Sequence, residues 1–130
     1  MGRLAEVTSV LGDAGVNIRA LSLADTSDFG IVRMLVDKND VAIKALSDVG
    51  LTVRDTEVIA VEVPDHPGGL ADVLQLFKDA GINVEYMYAF IERYKDNAII
   101  VFRFENVEQA TEVLQKTNIK VFTAEEIAGM

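Results

Sequence analysis

Gly68-Gly69-Leu70-Ala71-Asp72-Val73 and Asp79-Ala80-Gly81-Ile82-Asn83-Val84 are the stretches whose reading decides the fold. Each has an earlier counterpart, Gly2-Arg3-Leu4-Ala5-Glu6-Val7 and Asp13-Ala14-Gly15-Val16-Asn17-Ile18. Both pairs stand at one offset of 66 positions, Gly2 to Gly68 and Asp13 to Asp79. Farther on, Ile31-Val32 matches Ile99-Ile100, Leu46 matches Leu114 and Val53 matches Val121, now at an offset of 68. The second copy therefore holds two extra residues between these blocks. The string Asp-Ala-Gly-x-Asn recurs at the same place after the same helical pattern. The chain is a duplication, and the repeat governs every later assignment.

Within the second copy, Leu70, Val73, Leu74, Phe77 and Ala80 recur at helical spacing and predict one apolar stripe. Pro67 suits a first helical position, where a missing N–H costs nothing, and Gly81 suits the left-handed residue after the helix. The first copy carries Leu4, Val7, Leu11 and Ala14, then Gly15. Extended stretches follow, Val16 to Asp25 and Ile82 to about Glu92. Next come polar turns, Thr26-Ser27-Asp28 and Arg93 to Asn97, and then strands, Gly30 to Asp37 and Ala98 to Phe104. Second helices are expected from Val41, Ala45, Leu46 and Val49 after Asp40, and from Val107, Ala110, Val113 and Leu114 after Asn106 as N-cap. Last strands are read at Thr52 to Val58 and Ile119 to Phe122, and a leading strand at Val58 to Val63. The order β-α-β-β-α-β is the split βαβ, or ferredoxin-like, pattern. The fold class is α+β, with antiparallel sheets and helices on one face. The domain limits are 1–57 for the first repeat and 58–130 for the second.

Composition narrows the function. Among 130 residues, 21 are Asp or Glu and 12 are Lys or Arg, a net charge of −9. A phosphate-binding face needs Lys and Arg, and no basic run occurs, which argues against nucleic acid. The absence of Cys removes thiol nucleophiles, thiolate zinc and disulfides. With His66 as the single histidine, nucleophile–base pairs are nearly unavailable and a multi-histidine metal site is excluded. The longest apolar run, Ala98 to Phe102, is far short of a bilayer span. A cytoplasmic, non-enzymatic protein without cofactor or metal is expected.

The segment Val61-Glu62-Val63-Pro64-Asp65-His66-Pro67-Gly68-Gly69-Leu70-Ala71-Asp72-Val73 resembles the opening of an ACT domain. That family shows a strand, then Asp/Asn-x-Pro-Gly-x-Leu, a helix, and Ala-Gly-x-Asn-Ile/Val, here Ala80 to Val84. The first copy keeps Gly2-x-Leu4 and Ala14 to Ile18, so the resemblance spans the chain as a stand-alone tandem pair. It implies a regulatory module that binds a small ligand, an amino acid, at the interface between ACT repeats. The implied partners are a second copy in a homodimer and an enzyme of amino-acid metabolism, with neither nucleic acid nor membrane. The alternative is a ligand-free interaction module that regulates a partner enzyme subunit.

The candidate ligand residues are Asp65, His66, Pro67, Gly68, Gly69, Leu70, Asn83 and Tyr86, with Gly2, Arg3, Leu4 and Asn17 in the first copy. A helix N-terminus offers unpaired N–H groups and partial positive charge, so the Gly68, Gly69 and Leu70 N–H groups suit a carboxylate. Asp65 and the Asn83 oxygen are acceptors for an ammonium. A helix of this length holds its ends about 15 Å apart, so a neighbouring copy must complete such a site. Plainer readings stand beside these. Asp65 also suits a loop or capping role, and His66 a solvated loop. The glycines also suit the turn alone, and Asn17 and Asn83 suit local backbone bonding. Tyr86, Tyr88 and Phe90 line one strand face, as core or interface.

The first copy begins with Met1 where the second has Pro67, so its leading strand and most of its ligand loop are missing from this sequence. That strand is central in a ferredoxin-like sheet. The expectation is an upstream start or a strand from elsewhere, a self-associating chain, and at most one ligand per chain, at Asp65 to Leu70.

Overall fold

The computed structural model describes residues 2–25, 30–90 and 95–130. The turn read at Thr26 to Asp28 and the Arg93-Tyr94 part of the second turn lie outside them. Contacts divide the chain into Met1–Thr56 with Glu125–Met130, and Glu57–Ala124.

The second unit runs β3 (Ile59–Val63), α3 (Gly69–Asp79), β4 (Val84–Ala89), β5 (Ala98–Phe104), α4 (Val107–Gln115) and β6 (Val121–Phe122). Its sheet order is β4-β5-β3-β6, with every neighbour antiparallel. This is the ferredoxin-like arrangement, with β3 central between β5 and β6. One face of the sheet packs on the two helices. Val61, Val63, Phe102 and Phe104 meet Val73 and Phe77 of α3 and Ala110 and Leu114 of α4. The Phe77 ring stands edge-on to Phe102 at 5.3 Å and to Phe104 at 5.0 Å. Such pairs add to the ~1.5–3 kcal/mol that each buried ring contributes through its area. The expected stripe of α3 holds, with Leu70, Leu74 and Ala80 packed around the buried Val73 and Phe77. Asn106 caps α4, its side-chain oxygen accepting from Gln109 N–H at 3.0 Å.

The first unit contains α1 (Arg3–Asp13), β1 (Ile18–Asp25), β2 (Gly30–Val36) and α2 (Asn39–Asp48). Its core is Val7, Leu11, Val16, Ala42 and Leu46. The strands form a two-stranded antiparallel sheet. The repeat extends to irregularities: register shifts between Ile18 and Ala20 on β1, and between Val84 and Tyr86 on β4, positions equivalent at the offset of 66.

Three readings are corrected. Residues 51–58 form no strand. In the second unit the equivalent β6 pairs with β3, whereas the described residues of the first unit hold no strand in that place. Leu51 and Val53 instead pack beside the helices. On α2 the buried pair is Ala42 and Leu46, while Val41 and Val49 are 42% and 49% exposed, because the core-facing stripe is one position round from the one read. Pro67 precedes the helix rather than opening it, since α3 starts at Gly69. The segment from Thr123 onward holds a short helix, α5 (Ala124–Ala128), whose Ala128 carbonyl accepts from Arg19 Nη2 at 2.9 Å.

Candidate ligand site

The loop between β3 and α3 is built by two constraints. Gly69 N–H donates to the His66 carbonyl at 3.0 Å, closing a four-residue turn over His66-Pro67-Gly68-Gly69. Gly68 has φ 85° and ψ −8°, the third-position geometry of a type II turn, and Pro67 occupies the second position that favours proline. Gly69 answers to the other constraint. A Cβ there would lie 2.0 Å from the Pro64 carbonyl oxygen. Pro64, Pro67, Gly68 and Gly69 thus set one loop, and both glycines are required by its own backbone.

This corrects the donor set. The Gly69 N–H is engaged by His66, and Asp72 N–H donates to Gly68 O at 3.0 Å. Within the first turn of α3, Leu70 and Ala71 N–H find no acceptor among the described residues, and no side chain caps the helix. Of the three donors read from the sequence, only Gly69 N–H is engaged; Gly68 N–H, like that of Leu70, finds no acceptor among the described residues. Asp65 and His66 are exposed on the same loop, with His66 Nδ1 3.0 Å from the Pro67 carbonyl.

Asn83 sits elsewhere. It precedes β4, where Val84 pairs with Phe104, whereas the loop follows Val63, which pairs with Ala98 at the other end of the sheet. Asn83 Nδ2 donates to Glu105 Oε2 at 3.0 Å, and Glu105 N–H donates back to Asn83 O at 3.1 Å. In the first unit Asn17 N–H donates to Asp37 Oδ1 at 2.8 Å, and Asp37 N–H to Asn17 O at 3.1 Å. Asn83 ties a helix exit to the adjacent hairpin through its side chain, and Asn17 does so through its main chain. Tyr86 pairs across with Arg103 and stacks on Tyr88 with centroids 6.4 Å apart, on the sheet face away from the helices.

The first copy repeats part of this entry. Gly2 is left-handed at φ 77°, but a Cβ on it meets nothing within 4 Å. Arg3 stands where the second copy has Gly69 and forms an exposed ion pair with Glu6 at 3.4 Å, and Leu4 is 36% exposed.

One feature of the second unit escaped the sequence reading. Glu62, Pro64, Asn97, Asn118, Ile119 and Lys120 line a groove of about 360 Å³. Glu62 between buried Val61 and Val63 was the available signal, a charged residue interrupting an apolar strand. Among the described residues, no group of three or more His, Cys, Asp or Glu could hold a metal ion, and no helix is long and apolar enough to cross a membrane.

A split βαβ unit with a tight Pro-Gly entry to its helix, complete in the second unit and repeated in part in the first, defines a duplicated ferredoxin-like module. Residues 1–130 match the ACT domain pair, and the chain belongs to that family. ACT domains are regulatory modules that typically bind amino acids. Among solved structures, protein BT0572 from Bacteroides thetaiotaomicron is similar at TM-score 0.91 and 37% identity, over 99% of this chain and 88% of that one. Aspartate kinase from Synechocystis aligns at TM-score 0.38 and 22% identity, over 93% of this chain and 26% of the kinase chain. No curated protein matches the sequence.

Proposed function

We propose that the chain is a non-enzymatic regulatory protein whose second repeat binds an amino acid at the loop Asp65 to Leu70. The carrying observation is the pair of N–H groups on Leu70 and Ala71, left without an acceptor among the described residues at the mouth of a loop held by Pro64, Pro67, Gly68 and Gly69. A carboxylate satisfies both donors and gains from the helix dipole, with no Lys or Arg needed. Asp65, exposed on the same loop, supplies negative charge for the ammonium. A second copy of the chain completes the site as a homodimer, and the regulated partner is a cytoplasmic enzyme of amino-acid metabolism.

Calorimetry against the common amino acids tests this. The tightest binder should lose about tenfold, or ~1.4 kcal/mol, when its carboxylate is converted to the amide, because a charge-assisted bond contributes at least that much. Equal affinity for acid and amide would refute the carboxylate's placement. No binding across the panel would leave the loop as a structural turn and favour a ligand-free interaction module.

A further inference from the structure

The sheet of the second unit has a face away from its helices, and one end of that face is polar. Register places Glu62 opposite Ile99 of β5. On its other side, Glu62 N–H donates to Lys120 O at 3.0 Å, extending the β3–β6 ladder one step past Val61 and Val121. Glu62 and Lys120 are therefore neighbours across adjacent strands, spaced by roughly 4.8 Å. One step farther, Pro64 is flanked by Asn97 and Asn118 from the neighbouring connections. These residues, with Ile119, line the groove of about 360 Å³.

The chemistry is specific. Glu62 is half-buried in the central strand, and Asn97 Nδ2 holds its Oε1 at 2.7 Å. Lys120 is half-buried too, with Nζ 5.0 Å above the Phe122 ring. A partly desolvated carboxylate in a central strand costs stability that an apolar residue would not, and the Asn97 amide offsets part of that cost. The groove lining thus holds a carboxylate with an amide already bonded to it, a lysine on the neighbouring strand, and a second amide from Asn118. That is the complement of a small zwitterion, which carries an ammonium and a carboxylate one carbon apart.

We propose that this groove is a second ligand site, for a small zwitterionic molecule, separate from the helix-entry loop. Glu62 accepts from the ligand's ammonium, Lys120 faces its carboxylate, and Asn97 and Asn118 bond its remaining polar atoms. Pro64 belongs to both places: it lines the groove, and its carbonyl oxygen fills the space a Gly69 Cβ would need.

The test is a titration of the full chain with glycine, L-serine and L-glutamine, followed by NMR of the Asn97 and Asn118 side-chain amides. At least one probe should shift both signals saturably. Glu62→Gln should weaken that response about tenfold or more, and methylamine or acetate alone should not reproduce it. Asn118→Asp, on an exposed position, places a second negative charge in the groove and should weaken a ligand's carboxylate without disturbing the core; it decides the matter where Glu62→Gln fails to fold. Ala71→Pro removes an N–H from the loop and should leave the groove response intact. Amide signals that none of the probes moves, or a response that both groove variants leave unchanged, would overturn the second site. Loss of calorimetric binding in Ala71→Pro alone would then still support the loop.

Discussion

Replacing Gly69 by Ala isolates the packing constraint on the ligand loop. The added Cβ would lie 2.0 Å from the Pro64 carbonyl oxygen and 3.1 Å from its carbon. A close carbon–oxygen contact is about 3.3 Å, so the carbonyl must retreat by roughly 1.3 Å. The obstacle is backbone at the end of the central strand β3, not a side chain that can swing aside. Overpacking of this kind costs ~1–3 kcal/mol, partly offset by up to ~1 kcal/mol of better helix propensity. A net loss of about 1–2 kcal/mol follows. Two glycines bracket the effect. Gly68→Ala meets no atom within 4 Å but is held at φ 85°, which costs ~1–2 kcal/mol for a residue with a Cβ. Gly12→Ala, near the end of α1 and also in open space, should instead stabilise by up to ~1 kcal/mol. All three tyrosines, Tyr86, Tyr88 and Tyr94, fall in the second repeat. Tyrosine fluorescence during urea unfolding therefore reads that repeat, while far-UV circular dichroism reads both. With a slope of ~1–3 kcal/mol per molar urea, Gly69→Ala should lower the tyrosine midpoint by about 1 M. A midpoint equal to the wild type would refute the close approach of Pro64 and the loop geometry built on it.

Two further outcomes can be checked in the same unfolding experiments. Asn106→Ala removes the side-chain acceptor at the start of α4 and should cost ~1 kcal/mol, read as a lower tyrosine midpoint, whereas Asn106→Asp should retain most of the stability. Fusing an apolar strand of the Ile59–Val63 kind ahead of α1 supplies a partner for β2 and for residues 51–58; the melting temperature should rise, and an unchanged value would show that the first repeat has no place for it.

The duplication was legible because it is written twice. It carried helices α1 and α3, the hairpins, and the left-handed glycines after each first helix, and it led to the ferredoxin-like order. The failures have physical causes. Thr52 to Val58 has the β-branched composition of a strand, but composition does not supply a ladder partner. The α2 stripe came out one position round, because Val41 and Val49 are as apolar as the core-facing residues and periodicity alone cannot fix the phase in ten residues. In the site, the Pro-Gly turn was visible, but the contact between Gly69 and Pro64 is steric and was not. Asn83 carries the motif, yet Glu105, 22 residues on, claims its amide. Glu62, Asn97 and Lys120 lie on three strands or their connections, so only the register brings them together.

The paired register shifts bear on how such a repeat can change length. Across each shift, one residue, Arg19 or Glu85, stands outside the one-to-one pairing: Ile18 faces Val36 and Ala20 faces Leu35, as Val84 faces Phe104 and Tyr86 faces Arg103. Elsewhere in a strand, losing one residue turns every later side chain to the opposite face. Loss of Arg19 or Glu85 would instead leave a regular ladder, with every other residue opposite its present partner. Each repeat therefore contains one strand position at which a codon can disappear, or arise, without inverting the sheet, and that position is occupied in both copies.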